Sequence, residues 1–285
     1  MKVGIIGVGF VGGATKHVLD KAHNVFPYDK FKSPYNTSRH LEVIAKEARA
    51  TFICVPTPMK ESGEIDYSPI HNSLQSLQDK VEEIERDPSG LLVVIKSTAV
   101  SGSTDKLDKE YPFKFAVNPE FLREKTAIDD MENTNRVVLG VEDKWSEDLL
   151  MEIYKPVFPN AHYSIVNRKT AEMIKYAANV TLTGQIMVAN VICKICEEQG
   201  IDYSTLRKEI LLDERIGTNT EVPGPDGDYG VGGKCFPKDL LASTFLAKEL
   251  NISVELLEAI WNTNLLFRKN RDWLDIKGAT SENPY

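Results

Sequence analysis

The chain has few cysteines and no basic tract. Four cysteines in 285 residues are too few for a disulfide framework, so we expect reduced thiols. Acidic residues outnumber basic ones by 42 to 34, which gives a net charge of -8. A chain of this charge, without clustered lysines and arginines, is poorly suited to a phosphate backbone. The composition therefore argues against a nucleic-acid partner.

Signals for export or membrane insertion are also missing from the sequence. No apolar stretch is expected to span a membrane, and the N-terminus begins at once with a strand-like segment, Lys2 to Ile6, instead of a signal peptide. We therefore expect a cytoplasmic protein with no membrane partner. With 42% hydrophobic residues over this length, the chain can bury a substantial core and suits two domains better than one.

The first motif is a glycine-rich turn between a strand and a helix. Gly7-Val8-Gly9-Phe10-Val11-Gly12 follows the first strand and opens a predicted helix that ends near Leu19. Glycines in this spacing allow a tight turn and let a pyrophosphate reach the helix N-terminus. Asp29 follows the second predicted strand, where a carboxylate can bind the adenine ribose and favours NAD, while Lys30 weakens that preference slightly. The predicted cofactor contacts of this region are Gly7, Gly9, Phe10, Val11, Gly12, Asp29 and Lys30.

Strands and helices then alternate as far as residue 166. Predicted helices cover Arg39 to Ala48 and Pro69 to Arg86, and predicted strands cover Thr51 to Val55, Leu92 to Lys96, Lys114 to Val117, Arg136 to Gly140 and His162 to Val166. This alternation predicts an α/β fold with a Rossmann-type, doubly wound parallel sheet, whose ligands lie beyond the carboxyl ends of the strands. Pro56-Thr57, Ser97-Thr98 and Asn118-Pro119-Glu120 fall at such ends, although each is also typical of an ordinary turn.

From residue 168 onward the pattern is helical. We predict an NAD-binding domain over 1–167, an all-helical central domain over 168–275 and a frayed tail over 276–285. A helix apolar on two faces is buried on both, so the helix 169–199 is expected to form a homodimer interface as well as the domain centre. Its two apolar stripes are Ala171, Ile174, Ala178, Leu182, Ala189, Ile192 and Cys196, and Met173, Ala177, Val180, Met187, Val191 and Ile195.

A third face of this helix carries polar residues. Glu172, Lys175 and Asn179 share one side, where they form either a solvated stripe or a site for an anionic oxygen. Cys193 and Cys196 form a C-x-x-C inside the apolar run, with no second ligand pair. We favour core packing for them over a metal or redox role, and we predict no metal site.

A second glycine-rich loop precedes a single cysteine. Tyr229 to Gly233 leads through Lys234 into Cys235, and Pro237 marks the start of a helix that runs from about Leu240 to Leu250. A thiol at a helix N-terminus, beside lysines, can act as a nucleophile. The alternative is a small apolar side chain that fills a hole. The stretch from Asp213 to Gly227 ahead of this motif is predicted to be a loop, and a last helix is predicted from Val254 to Lys269.

Together these motifs resemble the UDP-glucose/GDP-mannose dehydrogenase family. They occur in the family's order and span nearly the whole chain. The matching stretches are Gly7 to Gly12, Cys54-Val55-Pro56-Thr57-Pro58, Lys96-Ser97-Thr98, Asn118 to Glu124, Ala171 to Asn179 and Gly232 to Asp239.

The resemblance implies an NAD-dependent, four-electron oxidation of the C6 alcohol of a nucleotide sugar to a carboxylate, with UDP-glucose the first candidate. It implies Cys235 as the nucleophile, with Thr98, Glu120, Glu124, Lys175, Asn179 and Asp239 around it. Pro56, Thr57, Thr98, Glu124 and Lys238 would contact the cofactor. Substrate contacts would come from Phe121, Leu122, Arg123, Lys175, Asn179, Tyr229 and Gly232, and from Arg215 of a neighbouring subunit.

The chain departs from the family pattern in several places. We expect it to lack the usual C-terminal nucleotide-binding domain, the loop before Tyr229 is extended by Asp226-Gly227-Asp228, and lysines occupy positions 125 and 234. Two other functions stay open: a two-electron dehydrogenase of the 3-hydroxyacid type, which also has a Lys-x-x-x-Asn helix, and a non-catalytic NAD-binding remnant. Cys235 together with Glu120 argues against the first, because that reaction needs no thioester.

Overall fold

The computed structural model describes residues 1–283, and these fall into two compact units. The first unit comprises Met1–Thr57 and Tyr67–Lys175, and the second comprises Pro58–Asp66 and the chain from Tyr176 onward. The predicted domain boundary is at residue 167, just before a long helix, Arg168–Gln199. The observed division lies inside that helix, between Lys175 and Tyr176. The sequence gives no signal that the short segment Pro58–Asp66 groups with the later residues.

The first unit is built on a seven-stranded sheet. Its order is β2-β1-β3-β4-β5-β6-β7, which confirms the predicted Rossmann-type α/β fold. The strands are β1 (Lys2–Ile6), β2 (Asn24–Tyr28), β3 (Ala50–Ile53), β4 (Leu92–Ile95), β5 (Lys114–Val117), β6 (Arg136–Gly140) and β7 (His162–Val166).

One junction of this sheet departs from the predicted parallel arrangement. β5 and β6 pair antiparallel through Val117 and Gly140, whereas every other neighbouring pair among the described strands is parallel. Gly140 is suited to this place because a side chain there would lie 2.6 Å from the Cβ of Ala171 and 3.1 Å from that of Val117. The glycine thus lets β6 pass close to the start of the long helix.

Both faces of the sheet are buried under helices. In β4, Leu92 and Val94 belong to one apolar cluster and Val93 and Ile95 to another, because successive strand side chains point to opposite faces. This explains why the strands read as short continuous apolar runs. The covering helices are α1 (Phe10–Leu19), α2 (Ser38–Glu47), α3 (Ser68–Glu83), α4 (Ser103–Glu110), α5 (Ala127–Glu132) and α6 (Lys144–Tyr154).

The second unit is mainly helical, as predicted. Its helices are the continuation of α7 (Arg168–Gln199), then α8 (Tyr203–Ile210), α9 (Phe236–Glu249) and α10 (Glu255–Phe267). Between α8 and α9, a stretch that the structure describes throughout, the chain has no helix or strand. The predicted loop over 213–227 is therefore confirmed.

The expectation of a frayed tail is wrong for residues 276–283. Ala279 and Thr280 are 3% and 4% exposed, and Thr280 forms a parallel bridge with Met59. The amide of Met59 donates to the carbonyl of Ala279 at 2.9 Å, and that of Ser281 donates to Met59 at 2.9 Å. This pairing has no periodic signal in the sequence, because it joins two short irregular segments. Pro284 and Tyr285 lie outside the described residues.

The long helix α7 corrects two expectations: that no apolar stretch is long enough to span a membrane, and that both apolar stripes of this helix are buried. Within residues 1–283 it is the one helix long and apolar enough to cross a membrane by length and composition, a test that the core helix of a soluble protein also passes. Ala171 and Cys196 on its first stripe are buried, but Met173 and Ile195 on the second are 43% and 57% exposed. Dimerisation through this second stripe stays a prediction.

Candidate dinucleotide and catalytic sites

The glycine-rich turn after β1 is shaped for close approach of a ligand. Gly7 has φ +92, a conformation that favours glycine, and a side chain on Gly12 would collide with the carbonyl oxygen of Gly7. Gly9 caps α1 without any side-chain hydrogen bond to its amides. The N-terminus of α1 is thus presented as an anion-binding end, as the motif predicts.

A cleft of about 310 Å³ lies at this helix end. Gly9 and Phe10 form one side, and Glu124 and Lys125 belong to the other, around the start of α5. Glu124 sits in the single turn Glu124–Thr126 that precedes α5. The structure therefore places Glu124, named as a cofactor contact from the resemblance, beside the glycine-rich turn.

Asp29 is tied to the same turn by hydrogen bonds. Its carboxylate accepts from the amide of Val8 at 2.7 Å and from those of Phe31 and Lys32 at 2.9 and 3.0 Å. Lys32 in turn donates to the carbonyl of Val8 at 2.9 Å, while the ammonium of Lys30 lies 5.7 Å from the ring centre of Phe31. An ionised carboxylate has about four acceptor positions, so Asp29 retains capacity for one ribose hydroxyl.

The ends of β3 and β4 are held together next to Gly7 of the glycine-rich turn. Ser97 donates through its hydroxyl to the carbonyl of Val55 at 2.6 Å, which fixes the backbone just ahead of Pro56 and Thr57. Thr57 is 6% exposed, and Pro56 is half-buried. These predicted cofactor residues therefore lie on a backbone that neighbouring strands hold in place.

A buried ion pair lies at the carboxyl ends of β4 and β5. The ammonium of Lys175 lies 3.1 Å from the carboxylate of Glu120, with side-chain exposures of 7% and 5%. The other oxygen of Glu120 accepts from the amide of Leu122 at 2.6 Å. A small cavity of about 10 Å³ beside this pair is lined by Thr98, Glu120, Lys175, Glu172 and Lys96, among others. The first unit thus brings together Thr98, Glu120 and Lys175, three of the predicted catalytic residues.

Glu172 has a structural partner that sequence reasoning missed. Its carboxylate accepts from the amides of Gly102 and Thr104 at 2.6 and 2.9 Å and from the Thr104 hydroxyl at 2.7 Å. Burial raises the pKa of Glu172, although these three donors oppose the shift. It fastens the loop after Thr98 to α7. Because Glu172, Lys175 and Asn179 are 2%, 5% and 7% exposed, the solvated-stripe interpretation of this face is wrong.

Sequence reasoning also missed that Lys96, like Lys175, is a buried lysine with specific hydrogen-bond partners. Lys96 donates to the side-chain oxygen of Asn118 at 2.6 Å, the Tyr154 hydroxyl donates to the same oxygen at 2.5 Å, and Asn118 donates to the carbonyl of Val138 at 2.9 Å. Burial lowers the pKa of Lys96 to about 8. A lysine at the end of an otherwise apolar strand is the sequence signal that could have identified it.

In the second unit, Asp239 binds two of the predicted residues. Asn179 donates to one of its carboxylate oxygens at 2.5 Å, and Lys238 donates to the other at 2.6 Å. Asp239 is 1% exposed, and the ammonium of Lys238 lies 6.0 Å from the ring centre of Tyr176. The structure therefore joins Asn179, Asp239 and Lys238 in one buried hydrogen-bonded group.

Cys235 stands at the N-cap of α9, with Pro237 in the first turn. The predicted helix start is therefore confirmed. The thiol is half-buried, and the N-terminal end of a helix favours a negatively charged group. This position differs from that of Cys193 and Cys196, which are buried in an apolar cluster. Burial raises the pKa of the Cys193 thiol, as expected of core packing.

The remaining predicted substrate residues have local partners. Arg123 forms a 2.6 Å ion pair with Asp130, and this bonding lowers the pKa of Asp130 to about 2. Arg215 pairs with Asp213 in the loop before Cys235, where Arg215 is largely exposed. Phe121 and Leu122 pack in the first unit, Tyr229 bonds through its hydroxyl to Glu197, and Gly232 lies in the glycine-rich loop.

In residues 1–283 no group of acidic, histidine or cysteine side chains is placed to hold a metal.

The sheet, the glycine-rich turn, Asp29 and the cleft at α1 define a dinucleotide-binding protein of the Rossmann type. Comparison with protein families makes this specific. Residues 29–158 match the NAD binding domain of the UDP-glucose/GDP-mannose dehydrogenase family, and residues 169–265 match its central domain. The chain belongs to this family, which confirms both the resemblance and the assignment of NAD as cofactor. The turn at residues 7–12 precedes the matched range.

Individual relatives agree with this assignment. The chain is 40% identical over 242 residues to a UDP-glucose 6-dehydrogenase of Rickettsia bellii, a match that covers 82% of this chain and 52% of the relative. It therefore spans about half the length of the curated relatives it matches. A UDP-glucose dehydrogenase from Pyrobaculum islandicum superimposes with a TM-score of 0.79 at 26% identity, covering 93% of this chain and 68% of that one. A GDP-mannose dehydrogenase from Pseudomonas aeruginosa gives 0.67 at 27% identity, covering 94% and 69%.

Proposed function

We propose that this protein oxidises the C6 alcohol of a nucleotide sugar, with UDP-glucose the first candidate, to the carboxylate in a four-electron reaction. The observation that carries the proposal is the match of two successive domains to one dehydrogenase family. The relatives named as UDP-glucose 6-dehydrogenases favour UDP-glucose over GDP-mannose. NAD supplies the hydride acceptor, and two molecules are needed for each sugar.

The first step takes a proton and a hydride from the alcohol to give an aldehyde. The carboxylate of Asp239, directly or through a water, accepts the hydroxyl proton, and the ammonium of Lys175 donates a hydrogen bond to the oxygen that loses it. Support for these assignments is that Lys175 and Asp239 are buried and held by hydrogen bonds or ion pairs within their own units. Side chains that are already held in place need little rearrangement during the reaction. Lys175 and Asn179 then stabilise the developing oxyanion, a role worth about two to three orders of magnitude in rate.

The second step forms a bond between the Cys235 thiolate and the aldehyde carbon. The resulting hemithioacetal loses a second hydride and its hydroxyl proton to become a thioester on Cys235. Support comes from the placement of Cys235 at the N-terminus of the 14-residue helix α9, an environment that favours the thiolate.

The last step hydrolyses the thioester. Glu120, assisted by Thr98 and Glu124, positions or deprotonates a water that attacks the thioester carbon, and the Cys235 thiolate leaves. The ion pair of Glu120 with Lys175 and its hydrogen bond from the amide of Leu122 support this role, because they hold the carboxylate in one position. The product is a sugar carboxylate, UDP-glucuronate if the substrate is UDP-glucose.

Substrate binding and assembly form part of the same proposal. Phe121, Leu122, Arg123, Tyr229 and Gly232 would contact the sugar nucleotide, and Arg215 would reach the substrate of a partner in a homodimer formed through residues 169–199. The exposed apolar side chains of α7 support this interface. A cytoplasmic location is part of the same proposal.

One experiment separates this function from its alternatives. NADH formation by the purified chain is measured against UDP-glucose consumed. Two NADH per sugar are expected, whereas one per substrate would indicate a two-electron dehydrogenase of the 3-hydroxyacid type. No NADH with UDP-glucose or GDP-mannose, from a protein that still binds NAD, would leave the non-catalytic alternative.

A further inference from the structure

The glycine-rich loop before Cys235 is anchored to the end of α10. The amide of Val231 donates to the side-chain oxygen of Asn264 at 2.8 Å, and the Asn264 amide group donates back to the Val231 carbonyl at 3.1 Å. Asn264 is completely buried. The amide of Gly230 donates to the side chain of Asn190, on α7, at 2.8 Å. Two helices of the second unit therefore fix the middle of the loop.

The next contact is ionic. The guanidinium of Arg268 donates to Asp226 at 2.6 Å and to Asp272 at 3.2 Å, and its other terminal nitrogen donates to the carbonyl of Tyr229 at 3.3 Å. The Arg268 side chain is 1% exposed. Both carboxylate oxygens of Asp272 lie 3.1 Å from the amide of Gly233, which donates to them. A cation between two carboxylates thus links the residues before the loop to its last glycine.

The extra residues Asp226-Gly227-Asp228, which the family resemblance left unexplained, belong to this arrangement. Asp228 accepts from the amides of Lys269 and Asn270 at 3.0 and 2.8 Å, just past the end of α10. Although burial alone would raise the pKa of Asp226, its bonding to Arg268 lowers it. At Gly232 an added side chain would collide with Arg268. The glycine there makes room for the guanidinium.

We propose that Arg268, with Asp226 and Asp272, is a positioning residue for Cys235. We call these three residues the Arg268 latch. Only Lys234 and Cys235 separate the anchored amide of Gly233 from the first residue of α9, so the latch fixes where the thiol stands at the helix end. Arg268 also balances the charge of Asp272. Without it, an unbalanced carboxylate would be bonded to Gly233, two residues before Cys235, and would disfavour the thiolate.

The catalytic meaning of the latch rests on the proposed function, but its test needs no substrate. The rate at which iodoacetamide alkylates Cys235 is measured from pH 6 to 10 in the full chain, with modification located by peptide mass spectrometry. In Arg268→Met the midpoint of the rate profile is expected to move up by about one pH unit. Hydrogen exchange at the amides of Val231 and Gly233 is expected to quicken at least about tenfold.

Matched variants distinguish positioning from a general effect of lost charge. Lys269→Met removes an exposed cation from the adjacent position and is expected to keep the wild-type midpoint. Arg268→Lys keeps the charge, so its alkylation midpoint is expected to lie between those of the wild type and Arg268→Met. If Arg268→Met does not fold, as judged by circular dichroism, Asp226→Asn replaces it, since Asp226 is 43% exposed. Faster hydrogen exchange at the amides of Val231 and Gly233 is then the expected result, because this variant removes an anion and its alkylation midpoint is not expected to rise.

Two outcomes would overturn the proposal. One is a folded Arg268→Met protein with a wild-type alkylation profile and wild-type amide protection. The other is unchanged protection of the Val231 and Gly233 amides in Asp226→Asn when Arg268→Met is unfolded. A wild-type protein that makes no NADH would defeat the proposed function, and the alkylation profile would still decide whether the latch positions Cys235.

Discussion

The ammonium of Lys175 lies 3.1 Å from the carboxylate of Glu120, and both side chains are almost fully buried. Removing two charges from water costs several kcal/mol for each ion, and their attraction repays this only when geometry and further hydrogen bonds are favourable. Glu120 has one such bond, from the amide of Leu122. A pair of this kind contributes little to stability relative to apolar packing, which fits a role in chemistry.

Removal of one member of this pair should destabilise the fold. Lys175→Met leaves the buried carboxylate of Glu120 without its ammonium, so we expect the free energy of unfolding to fall by about 3–5 kcal/mol. Urea unfolding, followed by circular dichroism, measures the change. Lys169→Met is the control, because Lys169 is 65% exposed on the same helix and its loss should cost less than about 1 kcal/mol.

The double variant Lys175→Met/Glu120→Gln sharpens this test. It removes both charges and should recover part of the stability lost in Lys175→Met. If Lys175→Met were no less stable than Lys169→Met, the buried ion pair described here would not exist in solution.

Glu172 should matter for stability through the loop that follows Thr98. In Glu172→Ala the amides of Gly102 and Thr104 lose their acceptor, which should lower the free energy of unfolding by about 1–3 kcal/mol. Glu172→Gln retains one acceptor oxygen and should lose less. Hydrogen exchange at the two amides reports the same contact locally, and unchanged protection in Glu172→Ala would show that other groups hold this loop.

Lys96 should make stability depend on pH in an alkaline window. Burial lowers its pKa to about 8 in the folded protein from an ordinary value of 10.5. Between these values the unfolded chain binds more protons than the folded one, so the free energy of unfolding contributed by this group rises with pH. The stability of the wild type relative to Lys96→Met should therefore increase from about pH 8 to 10.5, by up to about 3 kcal/mol.

Urea unfolding at several pH values measures that difference. Lys109→Met, which removes an exposed lysine, serves as the control and should show a flat difference across the window. A flat difference for Lys96→Met would mean that Lys96 keeps an ordinary pKa in the folded protein, and a falling one would mean that its pKa is raised.

Asp29 should determine the preference between the two nicotinamide dinucleotides. Asp29→Gly removes the acceptor for one ribose hydroxyl, and we expect about a tenfold weaker affinity for NAD, the equivalent of one hydrogen bond to a charged group. Affinity for NADP should be unchanged or improved, because repulsion of its phosphate is lost. Calorimetric titration of each dinucleotide gives the ratio. An equal loss for both would indicate that Asp29 acts only by holding the turn through Val8.

The strands of the first unit were largely predictable from the sequence. The bounds expected for β5, β6 and β7 are those observed, because strands buried on both faces appear as short apolar runs between turn residues. The start of α9 was predictable for a different reason. Pro237 fits the first turn of a helix, so the place of Cys235 at a helix end could be inferred before the structure.

Pairings between distant segments were not predictable. The antiparallel contact between Val117 and Gly140 and the bridge from Met59 to Thr280 depend on packing, for which no local periodicity exists. The same holds for the site. The sequence identified Glu120 and Lys175 by residue type, but their ion pair arises only when the carboxyl end of β5 meets the start of α7. Arg268 carried little local signal, since it follows the last residue of α10 and its partner Asp226 lies 42 residues earlier, although Asp272 is only four residues away.

The central claim is that a thioester forms on Cys235 and is hydrolysed with the help of Glu120. The most direct measurement is the mass of the Cys235 peptide from the Glu120→Gln variant after reaction with UDP-glucose and NAD, with Glu120→Gln/Cys235→Ala as the control. The account predicts a glucuronyl nucleotide adduct on Cys235 in the first variant and none in the control. Turnover to the acid at the wild-type rate in Glu120→Gln, with no adduct on Cys235, would contradict it.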